Sequence, residues 1–108
     1  MNLKIELTSK FKRKAKALLK KYPSLKQELH DLIFALEADP TLGTSIKHNC
    51  YKIRLSIKSK GKGKSGGSRV ITHLHVTDTT VYLIYIYDKS EQDNISEKEL
   101  LELIKALD

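Results

Sequence analysis

Between Asn49 and Val76 the chain reads NCYKIRLSIKSKGKGKSGGSRVITHLHV, two alternating runs joined by a basic, glycine-rich loop. Tyr51, Ile53, Leu55 and Ile57 alternate with Lys52, Arg54, Ser56 and Lys58. After the loop, Val70, Thr72, Leu74 and Val76 alternate with Arg69, Ile71, His73 and His75. A period of two belongs to strands with one buried and one wet face. Pairing the more apolar faces gathers Lys52, Arg54, Arg69, His73 and His75 on the other face, because cross-strand neighbours share a side.

The rest of the chain supplies what such a pair needs to bury its apolar side. Residues 2–7 alternate as a first strand, with Leu3, Ile5 and Leu7 on one face. Thr8 or Ser9 is placed to cap a helix in which Phe11, Ala15, Leu18 and Tyr22 recur on one stripe. Tyr22-Pro23 ends that helix, since a residue before proline is pushed out of the helical region. Ser24 and Gln27 form a capping-box pattern for a second helix with Leu25, Leu29, Leu32, Ile33 and Leu36 as its stripe. The short joint predicts a helical hairpin over residues 10–38, packed on one sheet face. Asp39-Pro40 closes it and Gly43 marks the turn into the basic region. Strands are expected over 50–57, 69–77 and 80–87, with a hairpin turn at Thr77–Thr80. Ser96 and Glu99 make a second capping-box pattern, with Ile95 and Leu100 as its staple. The helix they start either docks on the sheet near an edge or swings away. The fold class is α+β: a small antiparallel sheet, an N-terminal helical hairpin on one face and a C-terminal helix.

A chain of 108 residues has room for one domain spanning residues 1–108. Its N-terminus lacks the apolar run of a signal peptide and no stretch approaches a membrane span, so a cytoplasmic protein with no membrane partner is expected. The single cysteine, Cys50, reads as a small buried hydrophobe and rules out a disulfide framework. Charge is unevenly distributed. Residues 1–77 hold 17 basic and 5 acidic groups, and residues 78–108 hold 3 and 8. No acidic residue lies between Asp39 and Asp78, where Lys47, Lys52, Arg54, Lys58, Lys60, Lys62, Lys64 and Arg69 all fall. That block suits an extended polyanion, and a polyphosphate backbone is the simplest.

With RNA as ligand, its own 2′-hydroxyl can attack the adjacent phosphorus. The protein must then offer a proton acceptor, cations for the non-bridging oxygens and a donor for the departing 5′-oxygen. Arg69, following Gly66-Gly67-Ser68, is the best charge stabiliser, and Arg54 shares that work or steers the backbone. Lys52 is either a general base or a phosphate contact. His73 and His75 titrate in the useful range. Lys58, Lys60, Lys62 and Lys64 suit backbone neutralisation. No carboxylate in the basic block could hold a metal, and no metal or cofactor is expected.

The order of elements, together with FKRKAKALLKKYPSL, YKIRLS, KSGGSRVI and IYDKSEQDNIS, resembles the RelE/ParE superfamily of bacterial toxins, especially its RelE/HigB-like branch. The resemblance covers nearly the whole chain. It implies a ribosome-dependent endoribonuclease that cuts messenger RNA, a cognate antitoxin that neutralises it, and DNA contact only through the toxin–antitoxin complex. The family's strand lysines fall on Lys52 and Arg54, and its next arginine on Arg69. The family's later arginine and C-terminal tyrosine have no direct counterpart. Lys89 is the nearest cation for RNA binding, and Tyr87, Asp88 and Lys89 are the residues placed to fill that space. The ParE branch, which poisons DNA gyrase, implies a non-nuclease alternative, and a simple basic RNA-binding module is a third.

Overall fold

A long hairpin forms the centre of the sheet. In the computed structural model, which describes residues 3–60 and 66–107, strands β1 (Lys4–Leu7), β2 (Thr44–Ser45), β3 (Cys50–Leu55), β4 (Ser68–His75) and β5 (Thr80–Asp88) make one sheet. Their order is β1-β5-β4-β3-β2. The β2–β3, β3–β4 and β4–β5 pairs are antiparallel, as the alternation predicts. The β1–β5 pair is parallel, so the sheet is mixed rather than wholly antiparallel. The first strand has no neighbour in sequence to turn back upon: the two helices follow it at once, and it fills the open edge of the last strand. The two-residue β2 has too little sequence for its alternation to be read.

Helices α1 (Ser9–Lys21) and α2 (Leu25–Ala38) cover one face. Phe11, Ala15 and Leu18 of α1 join Leu25, Leu29, Leu32 and Leu36 of α2, and Ile53, Val70, Val81, Leu83 and Ile86 of the sheet, in the larger core. Thr8 caps α1, its hydroxyl accepting from the Phe11 N–H at 3.2 Å and donating to the Leu83 carbonyl at 3.3 Å. Ser24 does not make the expected capping box with Gln27. Its hydroxyl instead accepts from the Ser59 N–H at 2.9 Å and donates to Glu28 at 3.2 Å, so the basic loop has taken the group that would have capped α2.

Helix α3 (Glu97–Lys105) lies against the opposite face rather than at an edge. Leu100 is buried with Cys50, Ile71, Ile84, Tyr85 and Tyr87, and Ile95, Leu103, Ile104 and Leu107 pack around them. Its start follows the sequence closely: the Ser96 hydroxyl accepts from the Glu99 N–H while Glu99 reaches back to the Ser96 N–H. Glu97 then ties the helix to the β2–β3 turn through His48 Nε2 at 3.0 Å and Lys47 Nζ at 3.4 Å. That turn carries His48 and Asn49 in left-handed backbone. The β4–β5 turn comes one residue earlier than expected, so Val76, expected on the apolar strand face, is exposed at the tip. Among the described residues no helix is long and apolar enough to cross a membrane.

Candidate nucleic-acid interface

Register decides whether the cationic side chains share a face, because a slip of one residue would send half of them to the other side. Arg54 pairs directly with Arg69, Lys52 with Ile71 and Cys50 with His73. All six therefore lie on the α3 side of the sheet. On the next strand Tyr87 pairs with Arg69 and Tyr85 with Ile71, so two aromatic rings, 5.9 Å apart, continue the same face. A register shift between Ile71 and Thr72 lets β5 carry Ile84 and Tyr85 into the smaller core together.

The cluster is graded in exposure. Arg54 is exposed, Lys52 half-buried, and Arg69 and Tyr87 only 5% and 2% accessible. Arg69 Nη1 donates to the carbonyl of Ser68 at 3.2 Å. The Tyr87 hydroxyl is buried and has no hydrogen-bond partner among the described residues. Burial pushes its pKa up, and the nearby Arg69 charge only partly opposes this, so the phenol stays protonated at neutral pH.

The segment between β5 and α3 crosses this face as a strap. Lys89 Nζ donates to the Asp93 carbonyl at 2.8 Å and to its carboxylate at 2.5 Å. Tyr85 donates to Gln92 at 3.0 Å, and Lys52 Nζ lies 3.5 Å from the Asn94 side-chain oxygen. The hydrogen bond from Lys89 holds the Asp93 carboxyl below its usual range. Asp93 and Asn94 were not legible as neighbours of Lys52. SEQDN is a polar run without periodicity, and only the docking of α3 fixes where it passes.

The remaining candidates separate. His73 is buried beside Cys50, its Nδ1 3.5 Å from the sulfur. Burial lowers its pKa despite a raising hydrogen bond to the His48 backbone, and pushes the Cys50 thiol up to about 12. Cys50 is thus the buried residue that its sequence suggests. Four residues of strand put His73 about 13 Å along β4 from Arg69. His75 is further still, exposed at the turn with Nδ1 2.8 Å from Asp78. The histidines share the face of the arginines without joining their cluster.

Lys60 is not on the exposed cationic surface. Its Nζ pairs with the Asp88 carboxylate and donates to the Ser90 hydroxyl at 3.0 Å, with its side chain 9% accessible. Asp88 also accepts from the Tyr22 hydroxyl at 2.9 Å and from the Ser90 N–H and hydroxyl at 2.9 and 2.8 Å. Asp88 is therefore tied into the fold on the sheet face opposite Arg54 and Arg69. Lys58 is exposed, while its backbone N–H donates to Glu28 at 2.7 Å. Lys62 and Lys64 lie outside the described residues.

Two comparisons bear on this arrangement. The fold is similar to that of an E. coli toxin RelE mutant in the free state, with a TM-score of 0.61 and 15% identity over 99% of each chain. The family model for the RelE toxin of the RelE/RelB toxin–antitoxin system matches residues 3–107. With the match running from residue 3 to residue 107, the chain belongs to the RelE toxin family, the toxins of toxin–antitoxin systems.

Proposed function

We propose that this toxin is a ribosome-dependent messenger RNA endoribonuclease that acts in the cytoplasm and is silenced by a cognate antitoxin. The observation that carries the reading is the direct Arg54–Arg69 pair flanked by Lys52 and Tyr87 on one sheet face. Two guanidinium groups opposite one another match the non-bridging oxygens of a single phosphate. In the reaction the RNA 2′-oxygen attacks phosphorus, its proton passes to a base, and the bond to the 5′-oxygen breaks as that oxygen takes a proton. In this reading Lys52 serves the attacking 2′-oxygen, as base or as phosphate contact. Arg54 and Arg69 stabilise the added negative charge. Tyr87, protonated and without an internal acceptor among the described residues, is suited to donate to the departing oxygen. Because Tyr87 is buried in the free chain, this role requires the strap to move aside. Lys58, Lys62, Lys64 and Lys89 then neutralise the flanking backbone.

Expression in a translation extract tests the assignment. Cuts within ribosome-bound codons are expected, falling at least tenfold for Arg69→Ala. Tyr87→Phe is expected to lower cleavage similarly while leaving the melting temperature unchanged or raised, because the deleted hydroxyl makes no hydrogen bond to a described residue. Blocked translation with intact message, or a defect in DNA supercoiling, would make the chain a non-nuclease inhibitor such as a gyrase poison. Binding to RNA with neither effect would leave only a basic RNA-binding module.

A further inference from the structure

The strap between β5 and α3 is fixed at both ends. At the first, the Ser90 hydroxyl and N–H donate to the Asp88 carboxylate, which Tyr22 and Lys60 also hold. The Glu91 and Gln92 N–H groups donate to the Asp88 carbonyl, both at 3.0 Å. At the other end, Ser96 and Glu99 close the capping box of α3. The stretch left between the two anchors is residues 93–95. Ile95 packs against the smaller core, whereas Asp93 and Asn94 are exposed.

Asp93 holds a particular place in that stretch. Its side chain is 96% accessible, yet its carboxylate accepts from Lys89 Nζ at 2.5 Å. The Lys89 hydrogen bond and charge lower its pKa, and the Lys52 charge adds to this. Burial is the main cause of the raised Tyr87 pKa, and the charge of Asp93 contributes to it. One carboxylate thus acts on Lys89, Lys52 and Tyr87 together, all of them on or beside the reaction face. So exposed an ion pair adds little to stability, so holding the fold together does not account for it. Its chemistry is that of an anion set among cations, and an RNA phosphate would need the same cations. Lys52 and Lys89 cannot give their full charge to a carboxylate and a phosphate at once.

We infer that Asp93 is a built-in competitor for the substrate phosphate, which keeps the strap closed over the reaction face until RNA expels it. The inference rests on the phosphate-binding role proposed for that face. Both anchors lie outside the moving stretch, so the strap opens while α3 stays docked through Leu100. RNA that displaces Asp93 gains Lys89 and Lys52 and uncovers the Tyr87 hydroxyl in the same step. A weakly charged ligand leaves the strap shut.

The test is binding of the full chain to a fluorescent single-stranded RNA carrying 2′-O-methyl groups, which cannot be cut, across a salt series. Asp93→Asn is expected to bind about two- to fivefold tighter at low salt, the range an exposed ion pair can supply. Its plot of log affinity against log salt should be steeper by up to about 0.7, because one more cation is left for phosphate. Glu102→Gln, on α3, makes the same change in net charge away from the strap and should give a smaller gain with no change in slope. Asp93→Glu keeps the charge and should match wild type. In a Lys89→Gln background the Asp93→Asn gain should shrink, since one of the contested cations is gone. Equal affinities for wild type and Asp93→Asn overturn the inference, as does a gain that Glu102→Gln matches. A fall in cleavage at unchanged affinity also overturns it, by placing the carboxylate in the reaction itself. The nuclease reading is judged separately. If binding needs Arg69 and Asp93→Asn tightens it, but no message is cut, the competitor stands and the nuclease fails. If cutting needs Arg69 while Asp93→Asn changes nothing, the reverse holds. If Arg69→Ala leaves binding unchanged, the face holds no phosphate and both fall.

Discussion

Lys60 and Asp88 show how one side chain's surroundings can reverse its apparent purpose. In sequence Lys60 is one of four alternating lysines in a glycine-rich loop, and nothing local distinguishes it from Lys58. In the fold it is nearly covered and pairs with a carboxylate that Tyr22 and Ser90 also address. Lys60→Ala is therefore expected to act on stability, costing about 3 kcal/mol by leaving a buried charge short of its cation. Urea denaturation would show this, and a loss confined to RNA affinity would contradict it. Burial alone would raise the Asp88 pKa, but Lys60, Ser90 and Tyr22 more than reverse that and hold it well below the carboxylate range. A depressed folded value makes its stabilisation fully present above the unfolded pKa of about 4 and lost as pH falls toward the folded one. Asp88→Asn should accordingly lower stability at pH 7 and flatten the acid limb below about pH 4.

At the level of elements, alternation and capping were the legible signals, and both act over a few residues. The two-residue period of 51–57 and 69–75 fixed which side chains share a face, so Lys52, Arg54 and Arg69 could be grouped before their register was known. The Ser96–Glu99 box marked the start of α3, but no local pattern told that this helix would lie over the cationic face. The Ser24 pattern misled for a related reason: a hydroxyl can serve a distant backbone N–H as readily as its own helix. Gly43, read only as a turn, has a sharper duty. Its φ is +101°, and a Cβ there would sit 2.7 Å from the Lys52 carbonyl and 2.8 Å from the Ile53 side chain. Gly43→Ala should cost at least about 1 kcal/mol. Because the clash falls on β3 at Lys52, cleavage should drop further than stability predicts. Activity measured well below the melting midpoint would separate the two effects.

Across the whole molecule, sequence charge foretold a basic side and an acidic segment, and the fold lays part of the second over the first through Glu97 and Glu91. With a net charge of +7, self-repulsion still remains. Raising sodium chloride from about 20 to 300 mM should increase the melting temperature of the free chain by screening it, and should weaken any RNA complex. Parallel shifts of both would show that surface charge is not limiting. The parallel pairing of β1 with β5 escaped the sequence altogether, because an isolated four-residue strand says nothing about its partner. It also sets a clock on the toxin's own birth. Thr8 reaches Leu83 across 75 residues, so the opening strand of a nascent chain must wait unpaired until most of the polypeptide has emerged. The assembled weapon is thus delivered late, after its maker has nearly finished with it.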